Sequence, residues 1–360
     1  MRQERQPSKE EIAAQARAAV DRAIQRHIPG LSLPDDLTGE LGTTPKDVIH
    51  AHGTLKLFHY RPLCDEIYRV PILLVMSLVS RPYILDLTKG QSFIEFLLLQ
   101  GFDVYLIDWG VPRAEHRTLR LEDYVLDFIP DCVSVVREDA GEPDVSMIGY
   151  CMGGMLASLY AALHLDGPLK NLVCFTTPIN SDGMPLYKTW TDPAHFDLDQ
   201  LISTLGNIPA ELMDASLQML RPFQKTAGQL KLLDNAGDDA FVKAHLRFER
   251  WAADQIPFPG ETARQFVNEF LRENKLVCNK LELAGRRVDF GQIRVPFLHV
   301  AAEHDHIVPA AASRDLIDLV GSEDKAEIVL KGGHVSLVAG GNAVYRLWPQ
   351  LDAWLSKRSL

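Results

Sequence analysis

The stretch Val145–Gly153, which reads VSMIGYCMG, decides the fold of this 360-residue chain. Val145 to Tyr150 has the apolar run of a buried strand, and an apolar helix is predicted from Met152 to His164. Cys151 stands between the two, with Gly149 and Gly153 two residues away on either side. Small residues at those positions let a strand and a helix approach closely around a nucleophile, so the spacing G-x-C-x-G predicts a nucleophile elbow with cysteine in place of serine.

Apolar strands and helices alternate on both sides of this stretch. The alternation predicts an α/β fold whose mostly parallel central sheet is flanked by helices. The other predicted strands are Leu55 to Tyr60, Pro71 to Ser77, Val104 to Asp108, Asn171 to Thr177, Val295 to Ala301 and Ala326 to Leu330. The other predicted helices of this core are Ser92 to Gln100, Leu121 to Glu138, Ala310 to Val320 and Ala343 to Leu355.

Two regions depart from the alternating pattern. Residues 179–292 show helical periodicity, in Asp197 to Leu205, Pro209 to Leu220 and Pro259 to Glu273, and we expect a helical cap over the sheet edge where ligands bind. Residues 1–54 form a predicted N-terminal helical segment, in which apolar residues recur every fourth position from Ile12 to Ile28. That helix either docks on its own core or binds a partner or an apolar surface. The core comprises residues 55–178 and 293–360.

Composition restricts the class of protein. The chain has 37 Lys and Arg against 48 Asp and Glu, a formal charge of −11, which argues against non-specific nucleic-acid binding. With 46% hydrophobic residues it is neither a collagen nor a disordered chain. The apolar run from Val70 to Val79 is too short to be a transmembrane segment, and the N-terminus lacks the apolar core of a signal peptide, so we expect a cytoplasmic protein. Five cysteines at irregular spacing do not indicate a disulfide framework.

The order of residues along the chain supports a catalytic interpretation of the elbow. Asp305 follows the strand that ends near Ala301, and His334 follows the strand that ends at Leu330. Parallel strands bring their carboxyl ends to one edge of a sheet, and nucleophile, acid and histidine occur in this order in elbow enzymes. We therefore predict a triad of Cys151, His334 and Asp305. The helix N-terminus at the elbow favours a thiolate, and the backbone N–H of Met152 is the predicted oxyanion donor.

Further candidates flank the same edge. Val79 and Ser80 follow the second predicted strand, where a second oxyanion N–H is usually supplied, and Tyr83 is a pocket candidate nearby. Trp109 follows the strand that ends at Asp108 and is predicted to line the pocket rim. For Asp108 and Trp109, turn capping and packing are an equally good interpretation.

A metal site is the alternative interpretation of the segment around Asp305. His304 and His306 share a face of an extended segment and could bind a metal ion, but no matching ligand cluster stands out elsewhere. We therefore predict no metal, and expect His306 to be a loop residue near the site.

Taken together, these motifs resemble the poly(3-hydroxyalkanoate) synthases, specifically the short catalytic subunit of the two-subunit type, which belongs to the α/β-hydrolase superfamily. The resemblance covers nearly the whole chain. The matching stretches are TPKDV (44–48), RPYILDL (81–87), DVYLIDWGVP (103–112), GYCMGG (149–154), ENKLV (273–277), GRRVD (285–289), DHIVP (305–309) and GGH (332–334). The chain departs from the family pattern at Ser80, where an Asn is common, at Tyr150 and Met152 inside the elbow, and after His334, where a Gly would be familiar.

The resemblance implies a reaction, a substrate and partners. It makes Cys151 the acyl-carrying nucleophile, His334 its general base and Asp305 the assisting carboxylate. The implied substrate is a short-chain (R)-3-hydroxyacyl-coenzyme A (CoA), polymerised to a polyester with release of CoA and without a cofactor. It further implies a homodimer, an activating second synthase subunit and association with polyester granules.

Two other functions stay open. A cysteine-dependent thioesterase or esterase would use the same scaffold, and the departures at Ser80 and after His334 could admit the water it needs. The second of these alternatives is a non-catalytic subunit that recruits other proteins through the N-terminal helix. The remaining cysteines, Cys64, Cys132, Cys174 and Cys278, are interpreted as structural or incidental.

Overall fold

The computed structural model describes residues 41–222 and 224–360. The predicted helix between Ile12 and Ile28 lies outside these residues. Ten strands are described: β1 Lys46–His52, β2 Leu55–Tyr60, β3 Ile72–Val75, β4 Val104–Asp108, β5 Val145–Tyr150, β6 Leu169–Phe175, β7 Glu282–Leu283, β8 Arg286–Arg287, β9 Phe297–Ala302 and β10 Lys325–Leu330.

Eight of these strands form one sheet in the order β1-β2-β4-β3-β5-β6-β9-β10. From β4 to β10 all neighbours are parallel, whereas β1 and β2 form an antiparallel hairpin that joins β4 antiparallel. β7 and β8 form a separate hairpin. The predicted α/β class with a mostly parallel sheet is therefore confirmed.

Helices cover both faces of the sheet. They are α1 Phe93–Leu99, α2 Ile129–Ala140, α3 Met152–Leu163, α4 Pro185–Trp190, α5 Leu198–Leu205, α6 Ala210–Leu220, α7 Gln224–Asp234, α8 Asp239–Ala253, α9 Gly260–Gln265, α10 Ala310–Ser313, α11 Asp315–Leu319 and α12 Trp348–Leu355. π-helical turns at Asp123–Phe128, Phe266–Arg272 and Ala343–Leu347 adjoin α2, α9 and α12. No described helix is both long and apolar enough to cross a bilayer.

The sheet separates two apolar cores. One core contains every residue of α3 except Gly153, Gly154 and Ser158, and α3 is buried along its whole length. Residues of α2 and of the segment between β6 and β9 complete this core. The other packs α1 and α12 on the opposite face, around the fully buried Trp348. The continuous apolar character of β3 and β5 follows from this burial on both faces.

The structure corrects the predicted boundary at residue 54. β1 was predicted as part of the N-terminal helical segment, but it pairs with β2 and extends the core sheet to residue 46. Four of its seven residues are exposed, including Val48, so this edge strand lacks the apolar signal by which buried strands are recognised.

The segment between β6 and β9 is mainly helical and contacts the core at few backbone positions. The Ile256 N–H donates to the Val79 carbonyl oxygen at 3.3 Å, and Ser80 pairs with Gln255 in an isolated antiparallel bridge. Sequence periodicity indicated α5, α6 and α9, whereas α4, α7 and α8 were not predicted. Gly228 inside α7 weakens its helical pattern.

His59 joins the edge hairpin to the rest of the sheet. Its Nε2 lies 2.8 Å from Asp103 Oδ1 and its Nδ1 lies 2.8 Å from Asp139 Oδ2, while its ring stacks on Tyr105 at 4.2 Å. Both ring nitrogens can donate only in the imidazolium form. Burial alone would lower the pKa of His59, but the carboxylates of Asp103, Asp139 and Asp47 outweigh it, and the pKa is raised.

We therefore predict that His59 makes stability depend on pH. Because its pKa is raised on folding, its stabilisation is complete below the unfolded value of about 6.5 and is lost as pH rises through the folded value. The free energy of unfolding of His59→Gln, measured by urea denaturation, should lie furthest below that of the parent at pH 5.5 and approach it by pH 8.5. A difference that grew with pH would contradict this assignment.

Candidate active site

Cys151 lies in a strained turn between β5 and α3. Its φ of 57° and ψ of −124° are rare for a residue with a side chain. A Cβ atom on Gly149 would lie 2.4 Å from Gly154 Cα, and one on Gly153 would lie 2.0 Å from the Val75 carbonyl oxygen. Only glycine fits at either position, which is the steric reason for the G-x-C-x-G spacing.

Two further contacts hold the turn. The Cys151 N–H donates to the Phe175 carbonyl oxygen of β6 at 2.9 Å, and the Cys151 carbonyl accepts the Gly154 N–H at 3.0 Å. Met152 is the first residue of α3, where backbone N–H groups have no partner within the helix. The predicted oxyanion donor therefore lies beside the cysteine side chain, which is partly exposed.

Asp305 is held as a buried carboxylate in the loop after β9. Its Oδ1 accepts the N–H groups of Ile307 and Val308, both at 2.9 Å, and its Oδ2 accepts the Thr176 hydroxyl. His334 Nδ1 lies 2.7 Å from the same Oδ2. Burial would raise the pKa of Asp305, but His334 and these hydrogen bonds outweigh it, and the pKa is lowered.

His334 lies between Asp305 and Cys151. It is buried at the start of a 3₁₀ turn, His334–Leu337, with its ring centroid 5.1 Å from that of Tyr150. Burial would lower the pKa of His334, yet the negative charges of Asp305 and Cys151 outweigh it and raise the pKa to about 10. The three predicted triad residues thus lie in a line, with an imidazolium favoured in the middle.

Thr176 was not singled out from the sequence. It follows β6 directly and has a φ of 44°, which is a strained conformation for a β-branched residue. That backbone turn directs its hydroxyl to Asp305. The observation is consistent with strain being concentrated at functional sites.

Tyr187 of α4 is the second residue that sequence reasoning missed. Its side chain is partly buried, and the negative charges of Cys151 and Asp305 contribute, after burial, to a raised pKa. The segment before α4 is bound to α10, in contact with the end of the segment that follows Asp305, because Ile179 and Asn180 both donate N–H groups to the Ala312 carbonyl oxygen at 2.9 Å. No motif marks Tyr187, since its position follows from this contact.

Of the residues predicted around the oxyanion site, Val79 and Tyr83 have different hydrogen-bond partners and contact different parts of the chain. The Val79 N–H donates to the buried Ser77 hydroxyl over 3.5 Å, a long bond that leaves the N–H weakly engaged. Tyr83 donates its hydroxyl to Asp254 at 3.1 Å, and Arg81 pairs with the same carboxylate at 3.2 Å. Tyr83 therefore connects the loop after β3 to the residue that follows α8.

Trp109 is buried, with 8% of its surface exposed. Its indole N–H donates to the Met76 carbonyl oxygen at 2.9 Å, and its ring meets Tyr124 edge to face at 5.1 Å. It lines a cavity of about 180 Å³ whose lining residues do not include Cys151. Trp109 thus lies in the wall of this cavity, and its role at the rim of the catalytic pocket stays a prediction.

His306 lies beside the triad but outside its hydrogen-bonded line. Its Nδ1 is buried without a hydrogen-bond partner among the described residues. Burial, followed by the positive charge of Arg221, lowers the pKa of His306. The described part of the chain contains no group of three or more His, Cys, Asp or Glu side chains placed to hold a metal ion.

The other four cysteines differ from Cys151 in their surroundings. All five thiols are free. Burial raises the pKa values of Cys132 and Cys174 to about 12, which keeps both thiols neutral. Cys64 is partly exposed and Cys278 is exposed.

Comparison with known proteins places the chain in a family. Residues 87–340 match the model of the α/β-hydrolase fold, and residues 36–97 match the N-terminal model of poly-β-hydroxybutyrate polymerase (PhaC). Two solved structures share the fold with TM-scores of 0.56 and 16% identity: a monoglyceride lipase from Saccharomyces cerevisiae and a lipase from Sulfolobus solfataricus. The match to the first spans 91% of this chain and the match to the second spans 87%, and each match spans 99% of the solved chain.

Curated relatives are closer in sequence. The poly(3-hydroxyalkanoate) polymerase subunit PhaC of Allochromatium vinosum is 37% identical over 323 residues, which cover 89% of this chain and 90% of that protein. The subunit of the same name from Haloferax mediterranei is 36% identical over 89% of this chain, but the match spans only 65% of that longer protein. The Synechocystis subunit is 33% identical, over 90% of this chain and 87% of its own. The chain belongs to the poly(3-hydroxyalkanoate) polymerase family, built on the α/β-hydrolase fold.

Proposed function

We propose that this chain polymerises (R)-3-hydroxyacyl-CoA thioesters, of short acyl chain, into a polyester through a thioester on Cys151. The observation that carries the proposal is the line of Asp305, His334 and Cys151, in which His334 Nδ1 lies 2.7 Å from Asp305 Oδ2 and the charges of both neighbours raise the pKa of His334. Membership of a family whose curated members are named polymerases, which are acyltransferases, supports the reaction class.

The first half of the cycle loads the enzyme. His334 takes the thiol proton of Cys151, the sulfur attacks the thioester carbonyl carbon, and the bond from that carbon to the CoA sulfur breaks. CoA leaves with the proton returned by His334. We assign stabilisation of the oxyanion to the N–H of Met152, assisted by that of Val79. One thioester replaces another, so the acyl group stays activated without any cofactor.

The second half extends the chain. His334 accepts the proton of an incoming 3-hydroxyl group, whose oxygen attacks the acyl carbon on Cys151. The ester bond forms, the carbon–sulfur bond to Cys151 breaks, and the proton passes to the departing sulfur. Asp305 keeps the Nδ1 proton on the ring and stabilises the imidazolium, as its short contact with His334 allows.

The proposal requires that the acyl group is transferred to a hydroxyl and not to water. The Ile256–Val79 hydrogen bond and the contacts of Tyr83 and Arg81 with Asp254 join the helical region to the loop after β3. We propose that these contacts let the helical region close over the acyl-enzyme and exclude water from it during transfer. A hydrolase of the same fold would need water to reach Cys151.

The proposal includes the setting of the reaction. We place it in the cytoplasm at the surface of a polyester granule, with the chain acting as a homodimer beside an activating second subunit. The expectation is that this chain purified with its co-purifying subunit makes polymer faster than it does alone. Full activity of the isolated chain, with no partner captured, would remove the second subunit from the proposal.

The Cys151→Ala variant tests the nucleophile. Given (R)-3-hydroxybutyryl-CoA, the parent should release CoA, form polymer and carry an acyl mass increment on the peptide that contains Cys151. Cys151→Ala should lose all three signals because no thioester can form, whereas Cys278→Ala, at an exposed cysteine, should keep them. Release of free 3-hydroxybutyrate without polymer would establish the hydrolase instead.

The Asp305→Asn variant tests the charge on His334. Removing the carboxylate takes away a main cause of the raised His334 pKa, so that pKa should fall, and the polymerisation rate should drop by about 10²–10⁴-fold. The pH dependence of CoA release and the NMR titration of the ring measure the two effects. An unchanged His334 titration in a folded variant would contradict the assigned geometry.

A further inference from the structure

The cavity beside Trp109 is not used by the catalytic steps above. Its volume is about 180 Å³, comparable with engineered apolar cavities that bind benzene. Its wall is contributed by the β1–β2 hairpin, the loops after β3 and β4, the π-helical turn before α2 and the residue that precedes α9. The lining residues are His52, Gly53, Thr54, Leu55, Leu78, Trp109, Gly110, Pro112, His116, Leu119, Tyr124, Phe128 and Pro259.

This cavity lies close to the proposed oxyanion site. Leu78, in its wall, directly precedes Val79. Trp109 follows β4, and β4 is separated from β5, which carries Cys151, only by β3. Neighbouring strands lie about 4.8 Å apart, so the strand of Trp109 and the strand of Cys151 are only ~10 Å apart.

The interior is apolar and rigid. The rings of Trp109 and Tyr124 meet edge to face at 5.1 Å, and those of Tyr124 and Phe128 at 5.5 Å. Leu55 and Leu78 are buried beside them. Such walls suit alkyl groups and exclude charged ones, because a charge placed there would lose its hydration without gaining a partner.

Two side chains in the wall, His116 and Thr54, are polar, and one of them can donate a hydrogen bond to a ligand. The Arg113 N–H donates to His116 Nδ1 at 2.9 Å, so a neutral His116 ring carries its hydrogen on Nε2 and can donate it to an acceptor. The Thr54 hydroxyl is already engaged with the Trp109 carbonyl oxygen at 2.9 Å. The lining therefore combines apolar contact area with a hydrogen-bond donor, which suits a neutral ligand carrying carbonyl oxygens.

We propose that this cavity binds a short segment of linear 3-hydroxyacyl ester, the product end of the proposed reaction. Such a segment alternates alkyl groups with ester carbonyls and has no charge. Bound there, it keeps the growing chain next to Cys151 between successive transfers. The identity of the ligand rests on the proposed function, whereas the binding itself can be measured without catalysis.

The test uses the methyl ester of the (R)-3-hydroxybutyrate dimer as the probe and Cys151→Ala as the parent, so that no acyl transfer occurs. Ligand-observed NMR titration gives the affinity. Adding Leu119→Trp fills the cavity and should weaken binding at least tenfold. The matched control Leu99→Trp adds the same ring at a position of α1 that is 56% exposed and should leave the affinity unchanged.

The possible outcomes separate this proposal from the proposed function. Failure of the parent to bind the dimer ester, or equal affinities in the two tryptophan variants, would overturn it. If Leu119→Trp melts at a lower temperature than its parent, Leu55→Phe fills the same cavity and is measured in its place. Failure of the unsubstituted chain to polymerise (R)-3-hydroxybutyryl-CoA, together with intact binding of the dimer ester, would reject the proposed function and leave the ester site standing.

Discussion

The strained turn at Cys151 is the constraint on which the rest of the site depends. A cysteine held at a φ of 57° projects its side chain from the end of β5 at the N-terminus of α3, and it keeps that conformation only while strand and helix are packed around it. The packing is so close that Gly153 lies directly against the backbone of β3, and Gly154 lies against Thr177. The burial of α3 along its whole length holds this arrangement in place.

The charges of the site follow from its position at the sheet edge. Asp305 and His334 come from loops after neighbouring strands β9 and β10, so their side chains meet in a buried space where a bare charge would be unfavourable. Two backbone N–H groups and the Thr176 hydroxyl stabilise the carboxylate, which in turn raises the pKa of His334. This order of dependence explains why the strained Thr176, directly after β6, belongs to the site: its hydroxyl bonds to the carboxylate that controls His334.

The β1–β2 hairpin and the helical region between β6 and β9 are each joined to the parallel part of the sheet by specific side-chain and backbone contacts. His59 bonds to two carboxylates and joins the hairpin to β4 and α2, and the same hairpin forms part of the wall of the cavity beside Trp109. From the other side, the residues after α8 bond to the loop that follows β3. The α/β-hydrolase fold to which both are joined is shared with the two solved structures of 16% identity described above.

The sequence by itself determined the alternating architecture, the elbow and the three residues of the line, because buried strands, close-packed glycines and loops after strands each leave a local pattern. It did not reveal β1, whose exposed residues carry no apolar signal, nor Thr176 and Tyr187, whose roles arise from contacts between distant segments. Only the tertiary structure decided that Trp109 lines a separate cavity and that Tyr83 bonds to Asp254. These are matters of side-chain direction and of packing between elements far apart in the chain, which residue order does not encode locally.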